Sequence, residues 1–157
     1  GICLPDLPPI KNTYWRGAVD LAEGDSKDLS LPIDRPVGGG QEAELNIVAW
    51  WPTTLENDMS ATLTSPSGCR RTISDPGGTF LKIKVSNVDG LTADNVGQAL
   101  PIPQGKWELT LKNNGEKARV YWVAVAHSVP ERCSSLHFPD GYESTAPDAG
   151  QSCSGDL

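Results

Sequence analysis

The sequence predicts a single all-β domain, an antiparallel β-sandwich or barrel, with cysteine-held segments at its two ends. Six or more short stretches alternate apolar and polar residues with a period of two, and no window shows apolar spacing of 3.6 over three helical turns. Gly (16) and Pro (13) punctuate those stretches often enough to make tight turns between them. The 157 residues suffice to bury one core and would be cramped for two.

Residues 1–16 read as an N-terminal arm or linker, because Leu4-Pro5-Asp6-Leu7-Pro8-Pro9 is held near polyproline geometry. The sandwich is assigned to 17–129. Leu29, Leu31 and Ile33 share one face until Pro36 and Gly38-Gly39-Gly40 stop the run. Leu45, Ile47, Ala49 and Trp51 then alternate with Glu44, Asn46, Val48 and Trp50. Met59, Ala61 and Leu63 form the next apolar face, closed by the turn Ser65-Pro66-Ser67-Gly68. In Leu81-Lys82-Ile83-Lys84-Val85 the sidedness is strongest, since a one-residue slip would bury two ammonium groups. Trp107, Leu109 and Leu111 lead to Asn113-Asn114-Gly115, a hairpin signal, with the returning strand at Arg119 to Ala126. From residue 130 to 157 the composition turns to Ser, Pro, Gly and Asp, as in a polar tail.

Cys3, Cys69, Cys133 and Cys153 form no C-x-x-C pair, and their spacing is wrong for structural zinc. An even number suits disulfides and an oxidising, extracellular setting. Three pairings are open; Cys133 with Cys153 would close the tail, and Cys3 with Cys69 would pin the arm. The opening Gly1-Ile2-Cys3 reads as a processed product or an excised fragment, and no apolar run reaches the length of a membrane helix. A net charge of −7 disfavours nucleic acid and anionic membranes as partners and favours a divalent cation or a neutral ligand.

Catalytic signatures are absent from the sequence. His127 and His137 lie in no ligand pattern, G-x-S-x-G and the phosphate-binding G-x-x-x-x-G-K-[ST] do not occur, and the carboxylates sit in turn-like contexts. Loop ends rich in Asp and Asn, namely Asn57-Asp58, Asp89-Gly90 and Asp94-Asn95, are the candidates for calcium, a hard cation that takes six to eight oxygens. The Trp50-Trp51 pair is the candidate for ligand binding. Adjacent residues on a strand face opposite ways, so one indole must leave the apolar face; alternation with Leu45, Ile47 and Ala49 assigns Trp51 inward and Trp50 outward.

Residues 17–126 also resemble the jelly-roll β-sandwich that follows the catalytic domain in many secreted subtilisin-like serine peptidases, similar in layout to the P-domain of kexin-like convertases. The resemblance rests on the order of Ile47-Val48-Ala49-Trp50, Asn57-Asp58-Met59, Leu63-Thr64-Ser65-Pro66-Ser67-Gly68, Asp94-Asn95-Val96 and Pro103-Gln104-Gly105-Lys106-Trp107. It implies a non-catalytic, secreted domain that stabilises an adjacent catalytic domain of the same precursor or holds it on a substrate or surface. The alternative is an independent carbohydrate- or matrix-binding module, or an adhesin domain, using Trp50 or Trp51 on a polysaccharide or matrix protein.

The cysteines generate a direct test. Non-reducing peptide mapping of the native protein is expected to find two disulfides and no free thiol; four alkylatable thiols would overturn both the pairing and the extracellular setting.

Overall fold

Alternation becomes eight antiparallel strands in the computed structural model, which describes residues 14–38, 42–52, 58–74, 78–88 and 100–129. They are β1 (Tyr14–Leu21), β2 (Ser26–Ile33), β3 (Glu42–Trp50), β4 (Met59–Thr64), β5 (Arg70–Ser74), β6 (Phe80–Ser86), β7 (Gly105–Asn113) and β8 (Ala118–Val129). One sheet runs β1-β8-β3-β6 and the other β2-β7-β4-β5. Of the successive strand pairs, β4 and β5 alone stay within one sheet; every other step along the chain crosses to the opposite sheet. This is the two-sheet, eight-strand jelly-roll arrangement.

The inner faces are the ones the period-two reading assigns. Leu45, Ile47 and Ala49 of β3, Met59, Ala61 and Leu63 of β4, Leu81, Ile83 and Val85 of β6, and Trp107, Leu109 and Leu111 of β7 are all buried. Burying each Leu- or Ile-sized side chain contributes about 1.5–3 kcal/mol, so a slip of register in any one strand would forfeit several such contributions together. Trp107 lies wholly inside, with its Nε1 donating to the Pro103 carbonyl at 3.1 Å. Trp122 also faces inward. Its indole fills the space opposite Gly17 on β1, where an added Cβ would come within 2.9 Å of Nε1.

Three expectations are corrected. The first strand begins at Tyr14, inside the segment expected to be an arm, because Tyr14 to Leu21 pair along β8 from Val125 to Ala118. Strand β5, short and with half-buried residues that alternate with exposed ones, was not expected at all; it pairs with β4 across the Ser65–Gly68 turn. The Asn113-Asn114-Gly115 turn does not close a hairpin. It carries the chain from β7 in one sheet to β8 in the other, and the buried Asn113 amide holds that corner by donating to the Leu21 and Glu116 carbonyls while accepting from the Gly115 amide. Turn chemistry specifies a tight reversal, but whether the two strands then pair depends on which sheet buries each of them.

On the opposite side of the sandwich, Arg71 of β5 donates to the Lys84 carbonyl of β6 at 2.8 Å and ties the two sheet edges together. Cys69 is buried and disulfide-bonded, and its partner lies outside the described residues, as do Cys3, Cys133 and Cys153, the arm before Tyr14 and the tail from residue 130. No helix of the described residues is long and apolar enough to cross a membrane.

Gly105 opens β7 at φ +133, with space for a Cβ blocked at 2.8 Å by Pro66 of the β4–β5 turn, whereas Gly24 has φ +85 and nothing within 4 Å. Gly105→Ala is therefore expected to lower the urea-derived stability by at least ~2 kcal/mol and Gly24→Ala by about 1 kcal/mol. Equal losses at the two positions would show that Pro66 gives way freely.

Candidate functional site

The outer face of the β1-β8-β3-β6 sheet is built by the residues out of phase with the core. On β3 these are Glu44, Asn46, Val48 and Trp50; on β8, Arg119, Tyr121, Val123, Val125 and His127; on β6, Phe80, Lys82 and Lys84; on β1, Tyr14, Arg16, Ala18 and Asp20. The register then sorts them into rows that run across the strands. Tyr121 faces Trp50, and Trp50 faces Phe80, so three aromatic rings stand side by side on three neighbouring strands. The next row is Arg16, Val123, Val48 and Lys82, and the one after it Tyr14, Val125, Asn46 and Lys84.

The rings are exposed. Five large apolar side chains stand out into solvent among the described residues, and four of them, Tyr14 (47%), Trp50 (40%), Phe80 (55%) and Tyr121 (38%), belong to this face. The other sheet turns Ser26, Asp28, Ser60, Thr62, Thr64, Thr72, Thr110 and Lys112 outward and carries no exposed ring. Trp50 and Tyr121 have centroids 5.9 Å apart and planes inclined by 24°, a nearly parallel stack, and the Arg119 guanidinium lies 5.8 Å from the Tyr121 centroid. The three rings stand on neighbouring strands, whose backbones lie about 4.8 Å apart.

Charge on the face is partly committed. Glu44 accepts from Lys84 Nζ at 3.2 Å, stands 3.4 Å from His127 Nε2 and accepts from the Asn46 amide at 2.9 Å. Asp20 pairs with Arg119 at 3.3 Å, both side chains more than half exposed. Glu44 and Asp20 lie at opposite ends of the face: their partners in the register, His127 and Arg119, are eight residues apart on β8, about 27 Å in an extended strand. Paired glycosidase carboxylates stand within roughly 10 Å of one another. These two carboxylates cannot act as such a pair.

Of the two candidate indoles, the structure places Trp50 outward and Trp51 inside, 2% exposed, which removes Trp51 from the ligand-binding residues. Pro52 does not bulge the strand; β3 ends at Trp50, and the Trp51 amide donates to the Thr79 carbonyl beyond it. Trp51 Nε1 is buried with no hydrogen-bond partner among the described residues. Asp58 is exposed, while Asp89 and Asp94 lie outside the described residues; no group of His, Cys, Asp or Glu able to hold a metal ion occurs among the described residues. Tyr121 and Phe80 were not singled out from the sequence, although both are out of phase with their own core residues, Val120 and Trp122 in one case and Leu81 and Ile83 in the other.

No protein-family model matches the chain, and no curated protein matches it. Solved structures with similarity to it include the Yersinia pseudotuberculosis-derived mitogen, at 15% identity and TM-score 0.41 over 73% of this chain and 86% of that one. Others are TmCBM61 in complex with β-1,4-galactotriose, at 9% and 0.38 over 76% and 83%, and the Clostridium perfringens CspB protease, at 14% and 0.44 over 77% and 26%. At these identities and scores none of them lends this chain an activity, a ligand or a partner.

Burial separates the two adjacent tryptophans experimentally. Trp51→Ala is expected to cost about 3–5 kcal/mol, the range for a buried large aromatic, and Trp50→Ala less than about 1 kcal/mol. Paired thermal melts read the difference, and equal destabilisation would place both rings in the core.

Proposed function

We propose that this domain is a non-catalytic extracellular binding module that holds an extended polysaccharide along the ring row Tyr121–Trp50–Phe80. The single observation that carries the reading is that row: three exposed aromatic rings opposite one another in the register of three neighbouring strands of one sheet. A pyranose presents C–H groups on its flat faces and hydroxyls around its edge. The C–H face is apolar and weakly positive, so it settles on the electron-rich face of an aromatic ring while the hydroxyls stay in water. A row of rings at roughly the length of one sugar unit repeats that contact along a chain, and each further ring adds to affinity without needing a deep pocket.

Shape favours a chain over a folded partner. The three rings lie in one line across the strands, the path an extended chain would follow, and the next row is capped at both ends by the charged Arg16 and Lys82 with Val123 and Val48 between them. Rings held on a packed sheet are pre-organised, which limits the entropy lost on binding. The disulfide at Cys69 accords with an extracellular setting. A place beside a peptidase catalytic domain, as the sequence resemblance implies, would give the row the task of holding that enzyme on its substrate or on a surface.

Affinity electrophoresis against soluble β-1,4-glucan, β-1,4-mannan, β-1,4-galactan and β-1,4-xylan, each in neutral and anionic forms, tests the reading. At least one is expected to retard the protein. Trp50→Ala and Phe80→Ala should each weaken that binding about tenfold or more, roughly 1.4 kcal/mol, with melting temperature nearly unchanged. No retardation in any gel, or retardation indifferent to both substitutions, would overturn it; the second result would place the sugar contact elsewhere on the domain.

A further inference from the structure

The cations beside the ring row narrow the class of ligand, given the polysaccharide reading above. Arg16 and Lys82 occupy the two ends of the row next to the rings, separated by Val123 and Val48. Both are exposed, and among the described residues neither forms a salt bridge. Other cations nearby are committed: Lys84 to Glu44, Arg119 to Asp20 and the Tyr121 ring, and Arg71 to the Lys84 carbonyl. Among the described strand residues around the rings, Arg16, Lys82 and Arg119 thus face a single carboxylate, Asp20, in a chain whose net charge is −7. Charges more than a Debye length away, about 8 Å at physiological salt, are largely screened from this face.

We infer that the row takes an anionic polysaccharide, one with carboxylate or sulfate groups on the edges of its sugar rings, and that Arg16 and Lys82 receive those groups. The geometry follows from how a sugar lies on the row. For a sugar seated on Phe80, a C6 substituent pointing along the strand meets Lys82 in the next row of β6; for one seated on Tyr121 it meets Val123 and, on the adjacent β1, Arg16. That row is two residues along the strand, about 6.8 Å, within reach of a lysine or arginine side chain. A neutral hydroxymethyl at the same place would gain nothing from two ammonium-type charges. Arginine's planar fork suits both carboxylate and sulfate oxygens, so the shared chemistry is an oxyanion at the ring edge.

The experiment uses one backbone in three forms: soluble β-1,4-glucan, the same glucan with C6 oxidised to the carboxylate, and the same glucan sulfated at C6, with the mannan and galactan of the panel treated alike and the xylan, which has no C6, kept as a neutral control. At low salt an anionic form is expected to bind at least tenfold tighter than the neutral one, and the advantage should shrink severalfold in 0.5 M NaCl. A preference for the carboxylate form assigns a uronan and a preference for the sulfate form a sulfated glycan. The double variant Arg16→Gln/Lys82→Gln should bring the anionic form down to the affinity of the neutral one, leaving the neutral affinity and the melting temperature unchanged. Neutral binding as tight as both anionic forms, with Trp50→Ala still weakening it, overturns the charge assignment and leaves the ring row standing. Anionic binding that survives Trp50→Ala overturns the ring row itself.

Discussion

The phase of strand β3 is the constraint on which the rest of the molecule depends. β3 lies inside its sheet, bonded to β8 on one side and β6 on the other, and its alternate residues Ala43, Leu45, Ile47 and Ala49 are sealed in the core. Because successive side chains point to opposite faces, that burial leaves Trp50 no choice but the outer face. Shifting β3 by one residue would put Glu44 and Asn46 into the core and expose Leu45 and Ile47, a loss no surface contact offsets. The exposed indole is thus a consequence of core packing, held in place by energies far larger than any ligand contact.

Crossing connections turn that one indole into a site. In a meander β3 would lie beside β2 and β4; here both lie in the opposite sheet, and β8 and β6 take the flanks of β3. Tyr121 and Phe80 come from strands 71 and 30 residues away from Trp50 in the chain, yet the register sets them directly opposite it. Several local features hold this arrangement. Asn113 fixes the corner from β7 to β8, Gly17 leaves the room that the Trp122 indole fills, and the Ala43 amide donates to Asn87 Oδ1 at 2.7 Å where β3 and β6 meet.

Electrostatics divides the face into a settled part and an unsettled one. At the far end Glu44 gathers Lys84, His127 and Asn46 into a cluster whose polar groups satisfy one another, which suits a structural role on a half-buried surface. At the ring end, among the described residues, the positive groups outnumber their carboxylates. Overall charge therefore describes the domain poorly: a net −7 argues against a polyanionic partner only if the charge is evenly spread, and among the described residues of this face it is not.

By itself the sequence determined what depends on local periodicity: an all-β chain, the inward faces of β2, β3, β4, β6 and β7, the Ser65–Gly68 reversal, and the outward Trp50 against the inward Trp51. Those are settled by side-chain alternation and turn chemistry over a few residues. Strand β1 was harder to see, because the edge of a sheet buries little and its apolar residues, Trp15, Val19 and Leu21, are interrupted by Gly17, which yields its space to Trp122. The Asn113-Asn114-Gly115 turn misled for a related reason, since the same tight turn serves a hairpin and a sheet crossing. Which strands become neighbours was decided only in three dimensions, where each must bury its apolar side against a distant partner. The ring row and the cations at its flank are products of that pairing, so no stretch of sequence contains them.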